Sequence, residues 1–74
     1  MISFRLADEG NSIQVDCDLD GLNKLLSVLS AMAKDKRGHI HLRSPSAGGN
    51  LLSDTTPWGK RAIAEVIVSL GGDH

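Results

Sequence analysis

The residues of this 74-residue chain with the clearest chemical potential are two histidines and an arginine in the run HIHLR. Polar and apolar residues alternate in this run, which predicts a β-strand with Ile40 and Leu42 facing a core. The opposite face would then carry three polar side chains, at His39, His41 and Arg43. We expect this face to be exposed or to contact a partner.

A metal site is an alternative interpretation of the histidine pair. Imidazoles two residues apart on a strand project together, but a zinc site needs at least one further ligand. The chain offers His74 near a terminus and scattered aspartates. A small metal-dependent hydrolase or metal-binding protein using His39, His41 and Asp54 is therefore the alternative to a binding surface. In the main interpretation, none of these residues is catalytic and the protein binds no cofactor and no metal.

Two loops follow the HIHLR strand. Residues 44–50 (SPSAGGN) cannot continue a regular strand, because proline lacks an amide hydrogen and Gly48-Gly49 permits left-handed turns. Residues 50–53 are predicted to form a short return strand, with SPSAGG at the hairpin tip. Residues 54–59 (DTTPWG) form the second loop, in which Trp58 could anchor another protein. The predicted partner-binding residues are His39, His41, Arg43, Ser44, Ser46, Asn50, Asp54 and Trp58.

Residues 16–21 (DCDLDG) match the start of a calcium-binding loop, D-x-D-x-D-G. The bidentate acid required at its twelfth position is replaced by Ser27, so helix capping by Asp18 or Asp20 is the favoured interpretation. Cys17 shares one face of the predicted second strand with Ile13 and Val15 and is expected to be a small buried hydrophobic residue.

The remaining periodicities predict the elements that position these residues. Alternating residues 2–6 and 13–17 indicate a β-hairpin, and a helix follows from about Leu19 to about Lys36, with Gly38 beyond its end. Residues 61–70 fit a strand or a helix, and their β-branched run favours an interior strand. The helix stripe predicted to face the core contains Leu22, Leu25, Leu26, Leu29 and Met32. The prediction is one α+β domain over residues 1–74, ββαβββ-like, with a single sheet and the helix on one face.

Composition limits the function classes. A net charge of −1 gives no electrostatic basis for nucleic-acid binding, and the apolar runs are too short to cross a membrane. A lone cysteine and the absence of a signal-like N-terminus indicate a cytoplasmic protein. A chain this short builds a small core, so a homodimeric structural module, joined through an open sheet face or an edge strand, is a further alternative.

Four segments together resemble one family: residues 38–45 (GHIHLRSP), 48–50 (GGN), 52–53 (LS) and 57–59 (PWG). The combination resembles immunity protein 32, a family of small bacterial proteins from polymorphic toxin systems. The resemblance covers most of the chain and implies a non-enzymatic protein that neutralises a cognate toxin by direct binding. The binding surface expected here is the face of His39, His41 and Arg43 together with the loops 44–50 and 54–59.

Overall fold

A computed structural model describes residues 1–7, 10–36, 38–57, 59 and 61–71 of the chain. It confirms a small α+β architecture in which a β-hairpin precedes one helix. The elements in chain order are β1 (Ile2–Leu6), β2 (Ile13–Cys17), α1 (Leu19–Asp35), β3 (His39–Arg43), a 3₁₀ turn (Pro45–Ala47) and β4 (Glu65–Ser69).

The described strands form two antiparallel two-stranded sheets, β1–β2 and β3–β4, in place of the predicted single sheet. The reason lies at the outer edge of β1. The amide of Ser53 donates to the carbonyl of Ile2 at 2.6 Å, and the amide of Ile63 donates to the carbonyl of Phe4 at 2.7 Å. An irregular segment thus occupies the edge where another strand would have paired, and it connects the hairpin to the second sheet.

Residues 50–53 do not form the predicted return strand. The amides of Leu51 and Leu52 both turn back onto the carbonyl of Arg43, at 3.2 and 3.1 Å, so they close a tight loop instead of a ladder. β3 pairs with β4 over residues 65–69, which confirms the strand interpretation there. In the described part of the chain β4 pairs with β3 alone and alternates between half-buried and exposed residues, so the predicted interior position is wrong.

Helix α1 begins at an aspartate cap, as its sequence predicts. The carboxylate of Asp18 accepts hydrogen bonds from the amide of Gly21 and from the N-terminal ammonium of Met1, each at 2.7 Å. These two donors, the ammonium first, hold the pKa of Asp18 below its ordinary value. At the other end Lys36, not Gly38, takes the left-handed conformation, with φ of 54°.

The core joins both sheets to the helix. Ile2, Leu42 and Leu52 are buried together, and side chains from α1 and both sheets pack partly buried around them. The line of α1 that turns inward contains Gly21, Leu25, Val28 and Met32, at three- and four-residue spacing. Leu22, Leu26 and Leu29 of the predicted core stripe are exposed instead, and so is Cys17.

Gly21→Ala tests the contact between the helix and β1. A Cβ at this position would overlap the backbone carbonyl of Met1 and lie 2.9 Å from Cγ1 of Ile2. We expect a loss of about 2 kcal/mol in the free energy of unfolding, although alanine favours a helix by about 1 kcal/mol over glycine. Gly71→Ala is the matched control, since nothing lies within 4 Å of its Cβ position. Equal denaturation midpoints for both variants would contradict this packing.

Candidate functional site

The second sheet has one face in the core and one face in solvent. Ile40, Leu42, Val66 and Val68 point inward and are buried or half-buried. The opposite face, called the outer face here, carries the cross-strand pairs His39–Ser69, His41–Ile67 and Arg43–Glu65, and all six residues are exposed. The sequence-predicted polar stripe of β3 therefore lies together on one surface.

Glu65 organises the polar side chains of the outer face. Its Oε2 atom accepts a hydrogen bond from Nε of Arg43 and lies 3.2 Å from Nδ1 of His41. Arg43 first and His41 second lower the pKa of Glu65, so this carboxylate is ionised at neutral pH. The rings of His39 and His41 meet edge to face, with centroids 5.2 Å apart and planes at 74°. One carboxylate thus holds an arginine and an imidazole, which in turn contacts the second imidazole.

The loop that follows Arg43 is held in place by hydrogen bonds between serine hydroxyls and the carboxylate of Asp54. Its Oδ1 atom accepts hydrogen bonds from the hydroxyl of Ser46 at 2.7 Å and from the Ser46 amide at 3.2 Å. The hydroxyls of Ser44 and Ser46 are 3.0 Å apart. Hydrogen bonds from Ser44 and then Ser46 lower the pKa of Asp54. Ser44 is buried, whereas Ser46 and Asp54 are exposed at the loop surface.

The glycine pair explains how this loop turns so tightly. Gly48 has φ of 86°, a left-handed conformation that glycine adopts without strain. Gly49 packs directly on the end of β3, where an added Cβ would lie 2.5 Å from Cβ of Arg43 and 2.7 Å from its carbonyl oxygen. Both positions therefore require glycine, for different reasons.

An open groove of about 850 Å³ lies beside the loop. Ser46 and Asp54 line one part of it, and Leu6 with residues 61–64 lines the rest. Its wall combines an ionised carboxylate and an arginine, Arg61, with aliphatic side chains. The chain runs straight from this wall into β4, so the groove and the outer face share a continuous segment.

The structure does not bring all predicted site residues together. Asn50 is exposed but lines a different depression, next to Met1 and Lys24. Trp58 lies outside the described residues. Glu65 and Ile67 were missed by the sequence analysis, although they complete the outer face. Alternation within residues 65–69 was visible, but the pairing of β4 with β3 was not.

Within the described ranges, no group of three or more His, Cys, Asp and Glu side chains could hold a metal ion, so His39, His41 and Asp54 do not assemble one there. His41 and Glu65 are arranged like the acid–imidazole pair that activates a nucleophile. For catalysis, such a pair needs the nucleophile within hydrogen-bonding distance of the imidazole. The Ser46 hydroxyl donates to Asp54 instead.

No protein-family model matches this sequence, and no curated protein or solved structure is significantly similar to it. Within the described ranges, no helix has both the length and the hydropathy that a bilayer crossing requires.

The carboxyl pKa of Asp54 tests the loop cluster. Because its folded-state pKa lies below the ordinary value of 3.8, the ionised form stabilises the fold above that pH, and the stabilisation is lost as pH falls through the folded pKa. We expect a carboxyl NMR titration to give a pKa below 3.8 in the wild type and a higher one in a Ser44→Ala, Ser46→Ala double variant. Ser27→Ala, on the exposed side of α1, is the control. An unchanged Asp54 pKa in the double variant would contradict the assigned hydrogen bonds.

Proposed function

We propose that this chain is an immunity-type, non-enzymatic module that neutralises a cognate toxin by binding it directly. The observation that carries the proposal is the outer face, where exposed polar side chains surround an isoleucine on a sheet whose other face is buried. The outer face, the 44–50 loop and the 54–59 loop together form the proposed binding surface. Trp58 and Asn50 belong to this proposal as loop residues.

The outer face has the composition of a protein-binding surface. Ile67 has an exposed fraction of 54% and is flanked along β4 by Glu65 and Ser69. Interfaces typically place apolar groups at the centre and polar groups at the rim, and arginine is enriched among the residues that dominate affinity. Arg43 and Ile67 supply one group of each kind on adjacent strands.

The polar groups of this face are already oriented before any partner arrives. Glu65 holds Arg43 and His41, and the core-facing residues of both strands fix the backbone beneath them. Binding then costs less side-chain entropy, because fewer rotamers need to be ordered. A toxin surface carrying acceptors for Arg43 and the imidazoles would complement this pattern.

The loop beside the outer face adds a second shaped element. Asp54 fixes Ser46, and the glycine pair keeps the loop close to the end of β3. The groove next to it offers aliphatic contacts and two charges of opposite sign, from Asp54 and Arg61. A segment of the toxin lying in this groove would bind beside the outer face and enlarge the contact area.

The family resemblance supports the choice of a toxin as partner. Its motif residues have separable physical roles: Leu42 is in the core, the glycine pair shapes the loop, and His39, His41 and Arg43 are displayed to solvent. A motif that combines scaffold and displayed residues in this way is consistent with binding by shape and charge complementarity.

Ile67→Asp tests the outer face. The substitution places a carboxylate at the apolar centre of the proposed interface, so its burial against the toxin would be unfavourable. The candidate partners are the products of the genes that flank this chain's gene. We expect the dissociation constant of the one that binds to rise at least about tenfold, equivalent to about 1.4 kcal/mol, and protection of toxin-expressing cells to fall.

Leu19→Asp is the matched control, because Leu19 is an exposed aliphatic residue, with an exposed fraction of 72%, at the start of α1 and is not part of the proposed binding surface. Thermal unfolding of both variants checks that each is folded. Wild-type protein that neither binds a product of a flanking gene nor protects cells would reject the proposed function. Equal loss of binding by both variants would reject the outer face as its site.

A further inference from the structure

We propose that the chain forms a two-fold homodimer in which β2 pairs antiparallel with β2 of a second copy, with the axis at Val15. This inference rests on the N-terminal hairpin and α1 and does not depend on the proposed function. Four features of the hairpin and α1 support it: an open backbone edge, exposed apolar side chains, a self-complementary sequence and a small core.

The outward edge of β2 has backbone groups available for another strand. Ser12 accepts from the amide of Ala7, and the amide of Asp18 donates to Met1, so residues 12 and 18 point toward β1. Backbone direction alternates along a strand, so the amides and carbonyls of Ile13, Val15 and Cys17 point away from β1. Among the described residues, no other strand pairs with that edge.

The side chains near this edge are apolar and exposed. Ile13 and Val15 of β2 have exposed fractions of 60% and 43%. These residues lie on the hairpin face that carries Ile2, against which α1 packs through Gly21. A long edge with exposed apolar residues is a site at which β-proteins associate.

The sequence of β2 fits its own antiparallel copy. With Val15 opposite Val15 of the second copy, Ile13 faces Cys17, and the two apolar ends match. On the other face of the strand, Gln14 faces Asp16, so a neutral amide and not a second carboxylate lies opposite the charged group. A two-fold interface needs this self-complementarity, because each residue meets the reciprocal pair.

The helix extends the same surface. A two-fold axis perpendicular to the sheet leaves the helix-bearing faces of both hairpins on the same side. Leucines 22, 26 and 29 of α1, exposed in one chain, would then flank the central strands in both copies. Burial of these leucines in the dimer would account for the part of the predicted apolar helix stripe that is exposed in the single chain.

The small core favours a second copy as the occupant. Among the described residues, the buried hydrophobic side chains are Ile2, Met32, Leu42 and Leu52. Chains of this length commonly gain stability by oligomerisation when a single core is small. A four-stranded sheet with two helices on one face would bury more apolar surface per chain than either copy alone.

The test uses opposite charges at the axis. Size-exclusion chromatography with light scattering, over protein concentrations up to about 1 mM, should show a dimer for the wild type. Val15→Asp and Val15→Lys, each alone, place like charges opposite each other and should raise the dimer dissociation constant at least about tenfold. Mixing the two variants pairs the carboxylate with the ammonium and should restore a dimer containing one copy of each.

The control is Ile67→Asp, on the outer face, which should leave the dimer unchanged. A monomeric wild type over the whole range would overturn the inference. Dimers of Val15→Asp as stable as those of the wild type, or a mixture of the two folded variants that stays monomeric, would also overturn it. Toxin binding by folded Val15→Asp is measured separately, because this variant retains the outer face. Failure of the dimer inference can then be distinguished from failure of the proposed function.

Discussion

The fold depends on the hydrogen bonds made at the outer edge of β1. Ile2 and Phe4 accept from Ser53 and Ile63, which ties the segment between the last two strands to the N-terminal hairpin. The side chain of Ile2 is at the same time in the core. Its neighbour Met1 donates a hydrogen bond from its ammonium to the helix cap Asp18, and the backbone of Met1 lies close to Gly21. One short strand therefore connects the hairpin, the helix start and the loop that leads into β4.

This connection determines which surfaces are covered and which are open. With β1 bonded on both sides, the backbone edge left in the first sheet is that of β2. In the second sheet, the core takes one face of β3 and β4 and leaves the other to solvent. The two open surfaces differ in chemistry: one is polar around a single isoleucine, and the other is a strand edge with aliphatic side chains. We therefore propose a different partner for each surface, a toxin for the first and a second copy for the other.

Much of the architecture follows from local patterns in the sequence. The β-hairpin, the helix with its aspartate cap, the HIHLR strand with its inward Leu42, and the strand near the C-terminus each have a strong periodicity or end signal. The polar stripe was predictable for the same reason, since alternation fixes which side chains share a face.

The missed features depend on non-local contacts. Nothing in residues 50–53 indicates that the amides of Leu51 and Leu52 turn back onto Arg43, and nothing in β1 indicates that its outer edge accepts hydrogen bonds from Ser53 and Ile63. The helix stripe was right for Leu25 and Met32 and wrong for Leu22, Leu26 and Leu29. Apolar or small residues surround more than half of α1, and only its packing against the rest of the fold selects Gly21, Leu25, Val28 and Met32 as the inner line. Glu65 and Ile67 could be assigned to the candidate site only after the register of β3 with β4 was known.

We propose that the outer face of β3 and β4 binds a toxin. The most direct test is a map of backbone and side-chain NMR shifts of this chain as the protein encoded next to its gene is added. We expect changes concentrated at residues 39–43, 44–50, 54–59 and 65–69, with β2 and the exposed leucines of α1 unaffected. Changes centred on β2 and α1, with the outer face unchanged, would contradict it.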